Sequence, residues 1–450
     1  MDLASSPVSI PASTPVLELQ LATPSRRKTP TTTPRTLFSN DVTHFPDALL
    51  PPERCAFVRC SLWPGQIAVY SKNTLAAVTL LAPEIAACAR GEVLVSSDLV
   101  EAMRKQLAHL KTWKTLLAGQ DECYRLVHGE ADGLPGIILD IYGSLAVVQS
   151  ASHAGDFLLP WLVAAWQSLD PSGALVERSL GQARAMANLP LRQRTLFGTC
   201  PQNVNVRFAG LSLEFVPERS QKTGLFLDQR KNLSELVQWL PLLAQANHRP
   251  MELWRMLDLC CYAGAWSATA ARLGCRDFVL VDQDMGALEL AKRNVERALR
   301  PSTSGGHESP GAVTLRHCDL FEELQGRNEQ RRSSLDSFQG FDLVVADPPA
   351  FARSKKNLPE AERAYARMVR LAAPLVRPGG LLVVCSCSRP LEPSEFETIV
   401  ERTLLGVRWE QGQQPRWMRL HSGQQSADHT MLAGAQGSSY LKCLMYRIVI

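Results

Sequence analysis

From about residue 250 onward the chain repeats one pattern that few folds accommodate: a short apolar run, a turn of small residues, a helical stretch, then another apolar run. Runs at 256–260, 278–281, 313–317, 341–346 and 381–385 read as strands buried on both faces, with helices at 267–273 and 286–299. Strands separated by helices pair in parallel, because each crossover carries the chain back to the same end of the sheet. The expected class is therefore α/β, a Rossmann-like, doubly wound and mostly parallel sheet. Ligands of such sheets bind beyond the carboxyl ends of the strands. Two polar inserts, 301–311 and 325–340, read as surface loops, the second carrying Arg327, Arg331 and Arg332.

An acid stands at or near the end of each of the first three runs. Asp258-Leu259-Cys260-Cys261-Tyr262-Ala263-Gly264-Ala265 joins the first strand to its helix and lacks the G-x-G-x-x-G pattern. Those glycines let a backbone approach a pyrophosphate. S-adenosyl-L-methionine has no phosphate, so Gly264 with small neighbours, lined by Cys260 and Tyr262, suffices to admit it. Asp282, followed by Gln283, ends the second strand, where a carboxylate accepts ribose hydroxyls. Asp319-Leu320 follows the third and suits an adenine edge. Any one of these acids taken alone reads more readily as a helix cap or a solvated loop acid. Three at successive strand ends favour a pocket.

Beyond the next two strands stand Asp347-Pro348-Pro349-Ala350-Phe351 and Cys385-Ser386-Cys387-Ser388. A carboxylate that binds the polar edge of a base, near a thiol able to attack its ring, points to methylation of a pyrimidine carbon. That carbon is a poor nucleophile until a thiolate adds to its neighbour, which is covalent catalysis. Cys387, past the strand, is the candidate nucleophile; Cys385 sits one step inside and reads as packing. Asp347 is placed to contact the exocyclic amine or ring nitrogen and is also a candidate cofactor-binding residue, and Pro348-Pro349 is placed to fix the backbone around a flipped base. Phe351 reads as a stacking ring or a core residue. Lys355, with Arg353 and Lys356, offers phosphate contacts.

At 450 residues the chain exceeds one ordinary core. Residues 1–50, rich in Ser, Thr and Pro, read as a disordered tail, and fit a plain polar tail better than an organelle transit peptide. A short β-rich segment at 51–97 and a connecting helix at 98–118 follow. A small α+β domain spans 119–218, closed by a hairpin at 204–216, and the cofactor domain spans 219–450. The twelve cysteines form neither a disulfide framework nor a zinc pattern, and no metal is expected. Reduced thiols fit a cytoplasmic protein. No apolar run approaches the about 18 residues that span a bilayer. The formal charge of +4 is compatible with a nucleic-acid partner only if the cations cluster.

Several stretches together resemble a family of bacterial large-subunit (23S) ribosomal RNA methyltransferases that make 5-methylcytosine. They are Tyr124-Arg125-Leu126-Val127, Asp132-Gly133-Leu134-Pro135-Gly136, Glu177-Arg178-Ser179 and the distinctive Gln221-Lys222-Thr223-Gly224-Leu225-Phe226-Leu227-Asp228-Gln229-Arg230. Asp347 to Phe351 with Ser354-Lys355, Ser386-Cys387-Ser388 and Tyr440-Leu441-Lys442 complete the match. The resemblance implies a class I methyltransferase domain, S-adenosyl-L-methionine as cofactor, ribosomal RNA as partner, and an N-terminal RNA-binding β-barrel of the PUA kind. That barrel is expected to be degenerate or missing here. Lys222 and Arg230 are expected to meet the cofactor carboxylate or an RNA phosphate, or else to belong to a plain linker. A guanine N-methyltransferase shares these stretches but needs no thiol, and a silent RNA-binding assembly factor would be expected to lose Asp282 or Asp347. Monomer and homodimer both fit the sequence.

Overall fold

The structure, a computed structural model, describes residues 10–21, 36–37, 42–44, 55–60, 63, 66–72, 78–86, 93–300, 311–333, 340–408, 415–431 and 439–449. They fall into two compact units. The first holds the described residues up to 204 with 216–225 and 428–430; the second holds 205–215, 226–427 and those from 431 onward.

In the first unit a six-stranded sheet runs in the order Thr36–Leu37, Val78–Leu80, Ala68–Ser71, Cys55–Arg59, Ser13–Glu18, Val93–Val95. The expectation of a tail is corrected at the described residues of that stretch, since Ser13–Glu18 is an inner strand with Val16 opposite Phe57 and Thr14 opposite Leu94. Val16 and Leu19 are buried. A short apolar run inside a Ser/Thr/Pro background vanishes when composition is averaged over the whole stretch. Helix Ser96–Ala118 occupies the expected connector.

A five-stranded sheet follows, ordered Arg192–Phe197, Ala174–Ser179, Leu145–Ser150, Ile137–Tyr142, Cys123–His128, with helix His153–Leu169. Phe57, Phe157 and Trp161 pack ring to ring within one core that draws on both sheets. The first two strands of that order escape sequence reading because charge is buried in them. Glu177 accepts from Arg194 Nε at 2.7 Å and from the Ser179 hydroxyl at 2.8 Å, which breaks the apolar alternation a strand is recognised by.

The second unit contains α1 (Arg230–Ala246), β1 (Arg255–Leu259), α2 (Ala265–Arg272), β2 (Asp277–Asp282), α3 (Met285–Leu299), β3 (Ala312–His317) and α4 (Leu320–Ser333). β4 (Phe341–Ala346), α5 (Leu358–Ala372), β5 (Val376–Ser386), α6 (Pro393–Gly406), β6 (Arg416–Gly423) and β7 (Lys442–Val449) complete it. The sheet order is β3-β2-β1-β4-β5-β7-β6. β1 to β5 are parallel, whereas β7 runs antiparallel to β5 and β6 antiparallel to β7. Strand order reverses between β1 and β4, where open α/β sheets bind ligands.

Two expectations are revised here. The hairpin Val204–Phe208 and Leu211–Phe215, read as part of the small domain, belongs from residue 205 onward to this unit. Glu214 ties it to α3: its N–H donates to Asn294 Oδ1 at 2.8 Å, and its carboxylate pairs with Arg293 and Arg297. The insert read as a loop at 325–340 is helical through Ser333, held by Arg327 on Glu323 and by Asn328 donating to the Leu371 carbonyl. Residues 301–310 and 334–339 lie outside the described residues.

Candidate active site

The turn after β1 is built from left-handed backbone. Cys260, Tyr262 and Gly264 have φ of +61°, +45° and +72°, a conformation that costs an L-residue about 1–2 kcal/mol. Such strain persists where the surroundings over-determine it. Here the Cys261 N–H donates to the Val281 carbonyl, and the Tyr262 N–H donates to Asp282 Oδ2 at 2.9 Å. A Cβ on Gly264 would lie 2.9 Å from the Ala291 Cα and Cβ, so glycine is what lets α2 start against α3.

Asp282 binds the turn on one oxygen and the Asp284 N–H on the other, at 3.0 Å. Gln283 Nε2 donates to Asp319 Oδ2 at 2.8 Å, while Asp319 Oδ1 caps α4 through the Phe321 N–H. Leu320, the first residue of α4, is buried in the core beneath. Asp258 is fully buried; Oδ2 accepts from the Ser267 hydroxyl at 2.5 Å, and Oδ1 has no hydrogen-bond partner among the described residues. Burial pushes its carboxyl up to about 7, with Asp347 and Asp282 adding to the rise.

The Cys260 thiol is pushed well up, by burial first and then by Asp282, Asp347, Asp258 and Asp319. The four strand-end carboxylates thus surround one turn. So much negative charge around one turn, together with an orphaned buried acceptor, suits a ligand carrying positive charge. S-adenosyl-L-methionine carries two such groups, a sulfonium and an ammonium, and the residues present fit it.

Asp347 stands beyond β4. Its Oδ2 accepts from Gln229 Nε2 at 2.9 Å and from the Trp266 indole at 3.1 Å, and Asn232 donates to Gln229 Oε1 at 2.7 Å. None of these three positioning residues was singled out in the sequence. Gln229 lies inside the stretch that carries the resemblance, but Trp266 and Asn232 give no signal of their own. Pro348 is buried and Pro349 exposed.

Cys387 follows β5, half-buried, with Sγ 3.8 Å from the Pro348 carbonyl. The flanking serines explain how it is held. The Ser386 hydroxyl donates to the Tyr365 phenol at 2.8 Å, Ser388 Oγ lies 2.9 Å from the same oxygen, and the Ala352 N–H donates to Ser388 Oγ at 2.9 Å. The two loops after β4 and β5 are thereby pinned together, thiol beside Asp-Pro-Pro. Cys385, by contrast, is sealed in the core, and burial pushes its thiol well up.

The remaining residues singled out lie less centrally. Phe351 packs on Tyr365, ring centroids 4.7 Å apart, and against Phe321. Lys355 is exposed at the start of a short 3-10 turn. Arg230 begins α1 with its guanidinium 5.4 Å from the Phe208 ring. Lys222 belongs to the first unit, where its carbonyl accepts from Arg178 Nε at 3.2 Å.

The sheet order and the carboxylate-lined turn define an S-adenosyl-L-methionine-dependent class I methyltransferase. The solved structure of a SAM-dependent methyltransferase from Streptococcus mutans superposes with a TM-score of 0.69 at 18% identity, covering 96% of this chain and all of that one. No family model matches. A ribosomal RNA large subunit methyltransferase I of Cronobacter sakazakii is 31% identical over 341 residues, 75% of this chain and 78% of that protein. One from Klebsiella pneumoniae is 30% identical over 348 residues, 77% and 79% of the two chains. The chain belongs to the ribosomal RNA large subunit methyltransferase I family.

Proposed function

We propose that this enzyme methylates carbon 5 of a cytosine in large-subunit (23S) ribosomal RNA, with Cys387 as nucleophile and Asp347 as the group that reads the base. The observation that carries this reading is the pinning of a half-buried thiol beside the Asp-Pro-Pro loop. The names and identities of the relatives favour the same substrate. A cytoplasmic site of action follows from that substrate.

S-adenosyl-L-methionine supplies an electrophilic methyl group. Asp258 and the turn from Cys260 to Gly264 are suited to its methionine part, Asp282 to its ribose and Asp319 with Gln283 to its adenine. The chain's own work is to make carbon 5 nucleophilic. The Cys387 thiolate adds to carbon 6 and the ring's π pair moves onto carbon 5; that pair would take the methyl carbon as the methyl–sulfonium bond breaks, its electrons leaving with sulfur as S-adenosylhomocysteine. Loss of the carbon-5 proton to a base then returns electrons to the ring and expels the thiolate. Asp347, oriented by Gln229 and Trp266, accepts from the exocyclic amine and steadies charge that develops on the ring. Pro348 and Pro349 stiffen the loop against which a flipped base is read, Phe351 forms its apolar wall, and Lys355 meets phosphate.

Cys387→Ala is expected to lower methyl transfer at least about a thousandfold while S-adenosylhomocysteine binding by calorimetry stays at the wild-type value. RNA carrying 5-fluorocytidine should trap a covalent adduct with the wild type, since fluorine does not leave as a proton. Full activity of the alanine variant would refute the covalent route.

A further inference from the structure

We propose that Lys442 is a positioning cation for Cys387: it fixes the turn bearing the thiol and keeps a positive charge beside it, so that the thiolate persists near neutral pH. This rests on the reading of Cys387 as nucleophile. Lys442 opens β7 directly opposite Ser386, the last residue of β5. Its Nζ donates to the Ser388 carbonyl at 2.6 Å and to the Tyr440 carbonyl at 3.0 Å. The turn is thus gripped on both sides of residue 387, by a strand pair before it and by the ammonium after it.

A lysine only 3% exposed is rare unless something pairs with its charge. Among the described residues no carboxylate lies within ion-pair distance of Nζ. Two carbonyls need only neutral donors, so hydrogen bonding alone does not explain a charge here. Burial draws the ammonium down to about 8, and the group that most opposes this is Cys387, followed by Glu392 and Glu395 at the start of α6. Attraction between two sites is mutual: a thiolate that favours the ammonium is favoured by it in turn. The neighbouring Tyr365 phenol, pushed up to about 12 by burial, stays neutral over the working range and supplies no competing charge.

The test is alkylation of the full-length protein by iodoacetamide across pH 5 to 10, read by mass spectrometry at the peptide containing Cys387. Lys442→Met should move the midpoint for Cys387 up by about one pH unit, a roughly tenfold loss of thiolate at neutral pH. Lys442→Arg should restore the wild-type midpoint, and methyl transfer should follow the thiolate fraction. If the methionine variant does not fold, Lys442→Gln keeps an N–H for Ser388 and carries the same comparison. An unmoved midpoint in a folded variant overturns the role of Lys442, leaving the Cys387→Ala result to judge the nucleophile separately. A wild-type Cys387 that never reacts overturns both.

Discussion

At the scale of single residues, Asp258 is a carboxyl whose protonation is displaced into the neutral range. Its carboxyl lies near 7 rather than 3.8 because it is wholly buried. The folded state therefore holds a proton that the unfolded chain releases across that interval. The stability that this group allows is present below about pH 4 and is lost as pH rises toward 7, on the order of a few kcal/mol. Asp258→Asn should flatten that part of the stability-against-pH curve measured by urea unfolding; an unchanged slope would refute the assignment. A cation arriving beside Oδ1 favours the ionised form, so cofactor binding at pH 6 should release a proton. Calorimetry in buffers of different ionisation enthalpy reads this directly, and equal heats in all buffers would contradict it. Gln229 calls for a different readout. Gln229→Leu removes a donor from Asp347 Oδ2 and should lower kcat about tenfold with cofactor affinity unchanged. A loss of cofactor binding instead would place Gln229 in the pocket.

Among the elements, the turn between β1 and α2 admits little change. Gly264→Val would force a branched side chain into left-handed backbone and against Ala291. It should lower stability by about 1–3 kcal/mol and weaken cofactor binding, as thermal unfolding with and without S-adenosylhomocysteine would report. An unaltered melting temperature would show that the turn relaxes. This turn was legible in the sequence because a short apolar run ending in an acid is followed by small residues and a glycine. β4 was legible for the same reason, matching its apolar run from Phe341 to Ala346. β5 begins earlier than its apolar run indicates. Val376 pairs with Phe341 and Leu381 with Leu343, and the register slip between them absorbs Gly379-Gly380. The strand-end positions of Asp258, Asp282, Asp319, Asp347 and Cys387 could be found from the strands alone. Their supports could not: Gln229, Trp266 and Lys442 come from elements far away in sequence, and only the fold brings them in.

Over the whole molecule, charge decides how a large polyanion can be recruited. Forty-eight cationic residues against forty-four acidic ones leave +4, too little for long-range attraction. The cofactor turn, ringed by carboxylates, repels phosphate locally. Affinity for RNA must therefore come from small clusters of cations, and one follows the Asp-Pro-Pro loop directly: Arg353, Lys355 and Lys356, all exposed. Phosphate contacts release counterions and so weaken with salt, whereas a cofactor held by hydrogen bonds and burial does not respond in the same way. Binding of a 23S RNA fragment, followed by filter retention between about 50 and 200 mM salt, should fall steeply, and S-adenosylhomocysteine affinity should stay level. The double variant Lys355→Ala, Lys356→Ala should reduce the magnitude of the slope of log affinity against log salt by about 1.4 to 1.8, because each cation accounts for about 0.7 to 0.9. If the slope is unchanged, this cluster is a solvated face and the phosphates are held elsewhere on the protein.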